Sequence, residues 1–300
     1  MADVNIKINK VDKIIIPQDK IGNILLNKVN ELSDIEGIIE DKRSKAKSYL
    51  SIEAPNNDLN LFDVCIFLAA IAQQQAGNKC TTAAILYRTL GGNPTVLSSK
   101  QREKILKSIE KLIFTKFKYE FIDDVLKSKS KWEIDKEFEA NGYSYVGALL
   151  PAEIVAEKIN GNLTRDAIRF LDESPIFKIA KMKNQLAKFD AELLDVPELS
   201  CTETSTRLKI ELLDTVSRLR RIDKRNKKSR KGNKSDKVKK YLQLSLKNLY
   251  ENCGLSHEKK RQGEYRKTIE KILNHFKNCG FIKAWQFAKT GNNFTHINFL

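Results

Sequence analysis

Histidine is scarce in this chain: His257, His275 and His296 are the whole supply in 300 residues, and none stands at zinc-ligand spacing from another histidine or a cysteine pair. The five cysteines (Cys65, Cys80, Cys201, Cys253, Cys279) are scattered, include no C-x-x-C, and are odd in number, so they cannot all pair internally. The expectation is a reducing compartment, the cytoplasm, and no metal. Cys65 and Cys279 fall on apolar helical stripes and read as small core residues. No run of about 18 apolar residues occurs, which leaves no membrane span and no membrane partner. The start, MADVNIKINKVDK, lacks the apolar stretch and small-residue cleavage site of a signal peptide. No G-x-x-x-x-G-K-[ST] is present, so no Walker-type ATP site is expected. Lys289-Thr290-Gly291 matches K-T-G and Ser108 to Lys111 fits S-x-x-K, yet S-D-N is missing between them and Ser108 falls in a basic helix, so both read as chance. Three isolated histidines cannot supply the His-hydrophobic-His metal site of a DNA-nicking tyrosine enzyme. The chain is expected to have no catalytic activity and no cofactor.

Positive charge, by contrast, is abundant and unevenly placed. The net charge is +16. Residues 1–200 balance 29 Lys and Arg against 29 Asp and Glu, while residues 201–300 hold 25 against 9, so the whole imbalance sits in the last third. Such asymmetry points to an acidic polymer as partner, DNA or RNA before an anionic membrane surface. The length exceeds the roughly 100–200 residues of one domain. Three parts are expected: an N-terminal segment over 1–58, partly helical or flexible, a first domain over 59–197 with a connecting helix, and a strongly basic second domain over 198–300.

Within 1–58, Ile24 to Ile39 reads as an amphipathic helix. From Leu59, the spacing of Leu61, Cys65, Leu68 and Ala72 predicts a helix stopped by Gly77. Thr81-Thr82 opens a short helix that ends at Gly91-Gly92. Ser98-Ser99 precedes a third helix with Ile105, Ile109 and Leu112 inward. KFKYEFIDD and YSYVGALL alternate as strands around a charged loop over 123–142. Residues 151–200 read as the end of this domain plus the connecting helix. The basic part repeats the order: a helix with Leu208, Leu212, Val216 and Leu219 inward, a flexible basic segment, and LQLSLKNLYENCGL as a second helix. A third helix over 256–279 is capped by Ser256, and a hairpin turns at residues 289–293. Helix, helix, helix, strand, loop, strand predicts an α+β, mainly helical fold of two winged helix-turn-helix domains in tandem, with 123–142 in one wing position.

The candidate DNA contacts follow from placement. Lys259, Lys260, Arg261, Gln262, Arg266 and Lys267 lie in the early turns of helix 256–279, where a major-groove helix meets base edges. Arg and Gln can bond bidentately to guanine or adenine, whereas Lys mostly meets phosphate. Arg220, Arg221, Lys227, Lys228, Arg230 and Lys231 belong to the run 218–240, which holds 13 basic residues against Asp223 and Asp236. Lys289 and Asn292 stand at the hairpin tip. In the neutral part, Lys100, Arg102 and Lys104 line the third helix. The plain reading of each is a solvated charge; the combination of helix and following hairpin favours a reader.

The segment 59–94, LNLFDVCIFLAAIAQQQAGNKCTTAAILYRTLGGNP, resembles replication initiator proteins of Gram-positive plasmids and integrative elements. The matching features are the L-x-x-F-D at Leu59 to Asp63, the Y-R-x-x-x-G-N-P from Tyr87 to Pro94 and the helix SSKQREKILKSIEKLIFTK. Further along come L-L-P-A-E at Leu149 to Glu153, N-G-N at Asn160 to Asn162 and I-L-x-x-F-K-x-x-G-F-I from Ile272 to Ile282. They span residues 59–300 in order. The resemblance implies two winged-helix domains that bind repeats or a palindrome in double-stranded DNA at an origin. It implies a homodimer and recruitment of host helicase or primase. One departure is that the first domain is neutral overall. A transcriptional repressor without a replication role needs the same helices and charge and is the alternative; an RNA-binding module is the weaker class, because Tyr265, Phe276 and Phe281 follow core periodicity.

Overall fold

The computed structural model describes residues 6–27, 34–40, 47–54, 59–121, 144–159, 161–229, 242–256, 258–291 and 293–299, and the chain divides into two units, Met1–Glu192 and Leu193–Leu300. The expectation of a mainly helical pair of winged helix-turn-helix domains is corrected: among the described residues 46% are helix and 30% strand, and the strands there form four small sheets.

The first unit runs β1 (Lys13–Pro17), α1 (Lys20–Asn27), β2 (Asp34–Glu40), β3 (Lys47–Glu53), α2 (Leu61–Gln75), β4 (Cys80–Thr81), α3 (Ala83–Thr89) and α4 (Ser99–Phe114). It continues with β5 (Lys116–Phe121), β6 (Ser144–Ala148), β7 (Ala152–Ile159), β8 (Asn162–Phe170), α5 (Pro175–Met182) and β9 (Leu186–Asp190). Residues 24–39 are therefore not one helix. The isoleucine-rich DIEGIIE pairs antiparallel with KSYLSIE of β3, whose Leu50 and Ile52 are buried, and β-branched side chains suit that pleated surface. The sheet order is β2-β3-β5-β6. Along β5, Phe117 and Tyr119 are buried while Lys116, Lys118 and Glu120 are exposed, which is period two. The β5–β6 pair was expected; the loop over 123–142 lies outside the described residues.

Helix α2 is the centre of this unit. Asn60 caps it, accepting from the backbone of Phe62 and Asp63 while the Asp63 carboxylate accepts from the Asn60 N–H, a capping box. Residues on nearly every side of α2 are buried, not only the predicted stripe. Asp63 is buried too, and accepts from Ser108 Oγ of α4 at 2.6 Å, with Lys111 Nζ at 3.5 Å. Burial pushes its carboxyl above the usual range, while the Ser108 and Asn60 hydrogen bonds and Lys111 pull it back. Ser98 caps α4 with Gln101 in the same reciprocal manner, and Ile105, Ile109 and Leu112 are inward as their spacing predicts.

Residues 152–170, read from sequence as a run-on to a connecting helix, form the β7–β8 hairpin instead. Ile159 pairs with Asn162, and Gly161 takes φ +85°, the left-handed conformation that tight hairpin turns favour glycine for. The sheet order here is β4-β8-β7, and β1 pairs with β9.

The second unit runs α6 (Glu203–Ser229), β10 (Leu242–Ser245), α7 (Leu246–Asn252), α8 (Lys259–Asn278), β11 (Trp285–Thr290) and β12 (Asn293–Phe299). LQLS is a strand, not the start of the second helix: it pairs with β12, and Ser245 caps α7 by accepting from the Asn248 N–H. Helix α6 reaches Ser229, so Lys227 and Lys228 are helical and not part of a flexible segment. Cys279 is the C-cap of α8 and is exposed, in contrast to the expected core position; the helix ends one residue before the apolar spacing does. Cys65 is fully buried. The sheet order β10-β12-β11 matches β4-β8-β7 of the first unit, and both run short strand, short helix, long helix and hairpin, with β5 and β6 inserted between long helix and hairpin in the first unit. The element order thus repeats, with β7–β8 and not β5–β6 as the counterpart of β11–β12.

Candidate nucleic-acid interface

The first turns of α8 carry the densest described cluster of cations. Glu258 is the N-cap and makes no side-chain cap bond; Ser256, the expected cap, accepts from the Glu258 N–H at 3.3 Å. Tyr265, Ile269, Ile272, Leu273 and Phe276 are buried, which fixes the helix on its core and turns the opposite face outward. Lys260, Arg261 and Lys267 are exposed there, and Gln262 and Arg266 are half-buried. Lys259 starts the helix, its side chain outside the described ones. Arg261 approaches Glu258 at 3.5 Å, an exposed pair that restrains it little.

Arg266 and Lys289 converge on one ring. The Arg266 guanidinium lies 4.8 Å from the Phe294 centroid and Lys289 Nζ lies 4.6 Å from it. Phe294 packs on Phe287 with centroids 5.6 Å apart, and Phe287 on Trp285 at 5.1 Å. Trp285 Nε1 donates to Asn274 Oδ1 of α8 at 3.1 Å. An aromatic row therefore joins helix and hairpin. Asn292, predicted beside Lys289, lies outside the described residues.

On α6, Arg220 sits 4.9 Å over the Phe281 ring and Arg221 is exposed. Arg230 and Lys231 lie outside the described residues, as do the side chains of Lys227 and Lys228. About two turns before Arg220, the helix buries two carboxylates, Glu211 and Asp214, beside Arg218. Arg218 meets Asp214 at 2.9 Å and Glu211 at 3.9 Å; Asn252 Nδ2 and Thr215 Oγ1 donate to Glu211 at 2.9 and 3.2 Å. Burial, with the neighbouring Asp214, pushes the Glu211 carboxyl up to about 7 despite these donors and Arg218.

The predicted residues of the first unit are placed differently. Lys100 and Lys104 are exposed on α4. Arg102 is held by Asp166 of β8, with Nε to Oδ2 at 2.8 Å and Nη2 to Oδ1 at 2.5 Å, a bidentate fork. Lys107 pairs with Glu103 at 2.7 Å. Strands β7 and β8 carry three acids and three bases, and Arg169 is bound by Glu153 and Glu157.

Sequence reasoning located the cations and missed what holds them. Phe294, Phe281 and Asp166 each touch a predicted residue from a remote element, and no local pattern announces such a contact. Glu211 and Asp214 were legible as acids inside an apolar helical face. Among the described residues no cluster of His, Cys, Asp and Glu could hold a metal ion, and no helix is long and apolar enough to cross a membrane.

No protein-family model matches the chain, and no curated protein matches it. Two crystal structures of domains 2 and 3 of RctB resemble it in fold. One has a TM-score of 0.44 at 13% identity, covering 89% of this chain and 91% of that one. The other, a selenomethionine derivative, has a TM-score of 0.42 at 11% identity, covering 88% and 89%.

Proposed function

We propose that the chain binds double-stranded DNA through its second unit, at a replication origin of a plasmid or integrative element of a Gram-positive host, and initiates replication there without catalysis of its own. In this reading it acts in the cytoplasm as a homodimer and recruits host helicase or primase. The observation that carries the DNA part is the outward face of α8: Lys260, Arg261 and Lys267 exposed in its first turns, with Lys289 of the adjacent hairpin beside Arg266. A helix of that width enters the major groove, where Arg261 and Gln262 meet base edges and the lysines meet phosphate. The basic part of α6 adds sequence-independent grip through counterion release. The initiator part rests on the ordered motifs from Leu59 to Ile282.

The test of binding is selection of duplexes from a random pool by the full chain. Replacement of Lys227, Lys228, Arg230 and Lys231 by Gln should then weaken binding to the selected and to a scrambled duplex alike. The salt slope should fall by about one unit per lost phosphate contact. A full chain that selects no sequence sinks the reading. Replication of a template carrying the selected site, in a reconstituted host system, separates an initiator from a repressor.

A further inference from the structure

We propose that Phe294 is a positioning residue whose ring seats Arg266 and Lys289 as a paired grip for the phosphate backbone. The two cations come from different elements, α8 and β11, and lie within 5 Å of the same ring centroid, at 4.8 and 4.6 Å. Like charges drawn to one spot repel, and a ring quadrupole offsets part of that repulsion without neutralising either charge. A carboxylate would neutralise it. Neither cation is ion-paired among the described residues, and the sequence from Lys271 to Leu300 contains no Asp or Glu at all. The ring itself is fixed from behind by Phe287, and Thr290 and Thr295 bond across the hairpin at 3.0 Å. Two held, unneutralised cations at the junction of a helix and a hairpin demand an anionic ligand there, and adjoining phosphates of one strand supply it. The same junction in the first unit shows the contrast: Arg102 of α4 leans on β8 as Arg266 leans on β12, but meets Asp166.

The inference rests on the DNA-binding reading, and the experiment separates the two. The full chain is prepared with phenylalanine at 294 carrying zero, one, two or three ring fluorines, which drain the ring face of electron density while keeping its shape. Phe294→Tyr and Phe294→Leu accompany the series. Binding to a random-sequence duplex and to heparin is titrated at several salt concentrations, with thermal unfolding as the control. Affinity for the duplex should fall stepwise with fluorination, about fivefold in all. Tyr should retain binding, and Leu should lose about fivefold together with roughly one unit of salt slope. Arg266→Gln should cost less in the Leu background than alone. Unchanged affinity across the fluorinated series while the parent chain binds the duplex overturns the positioning role and leaves DNA binding standing. Fluorine-sensitive binding to heparin, with none to DNA, overturns the phosphate grip together with the DNA reading. Loss of binding to both polyanions in the parent chain overturns both.

Discussion

The two units share an order of elements and differ in how they treat charge. In the first, the cation at the start of the long helix, Arg102, is forked onto Asp166 of the hairpin, and Arg169 of that hairpin meets Glu153 and Glu157. In the second, the corresponding Arg266 rests on a phenylalanine, and the hairpin carries no acid. Carboxylate and ring both hold an arginine in place, but only the ring leaves its charge for a ligand. Acidic groups are present in the second unit, yet Glu211 and Asp214 are turned into the core of α6 beside Arg218. One scaffold order thus presents a balanced surface in one copy and a basic one in the other. That difference accounts for where DNA binding is to be sought.

The comparison breaks first if the units are not independent in function. Asp63→Ala removes the buried acceptor that joins the cap of α2 to Ser108 of α4. It should destabilise the first unit by roughly 3 kcal/mol, since buried partners are left unpaired. Hydrogen exchange should rise across residues 61–114 while duplex affinity stays within about twofold. A parallel collapse of binding would mean that the neutral unit contributes to the interface.

Acid burial in the second unit makes a pH prediction. Glu211 ionises near 4.5 in an unfolded chain and near 7 when folded, so folding favours its protonated form. The stabilisation is full below about pH 4.5 and is lost as pH rises through 7. Glu211→Gln should remove that slope and stabilise the second unit at pH 8 by on the order of 2–3 kcal/mol, with Asp214 still facing Arg218. Chemical unfolding at pH 5 and pH 8 reads it; a parent chain equally stable at both would refute the assignment.

Reading and gripping should separate on α8. Arg261→Ala should cost about 1–3 kcal/mol on the selected duplex and relax the preference at one base pair. Equal losses on selected and scrambled duplexes, with the fold intact, would move the reader to α4 of the first unit. The smallest effect sharpens the contrast most: Asp166→Asn frees Arg102 from its fork and should raise non-specific duplex affinity about twofold, in line with the modest strength of exposed ion pairs. No gain at low salt would show that the first unit's surface is turned away from DNA.

The legible part of this fold was its helices. Caps at Ser98 and Thr82, glycine stops at Gly77 and Gly91, and the 3.6-residue spacing of Ile105, Ile109 and Leu112 or Ile269, Ile272 and Phe276 are local, and the chain obeys them. The strands that escaped detection pair over distance: β1 with β9 across more than half the chain, β4 with β8, and β10 with β12. A four-residue strand such as Leu242–Ser245 carries too few positions to display period two, so it merges with the helix that follows. The β7–β8 hairpin did have a local mark, the Asn-Gly pair in the sequence just before Asn162.

The sequence by itself determined the uneven charge, the helices and the positions of Arg261, Arg266 and Lys289, because composition, periodicity and capping are properties of neighbours along the chain. Tertiary structure alone decided which of those cations stay available to a ligand. That depends on whether a remote strand brings a carboxylate, as β8 brings Asp166, or a ring, as β12 brings Phe294, and through-space contacts of a few ångströms leave no periodic trace in the order of residues.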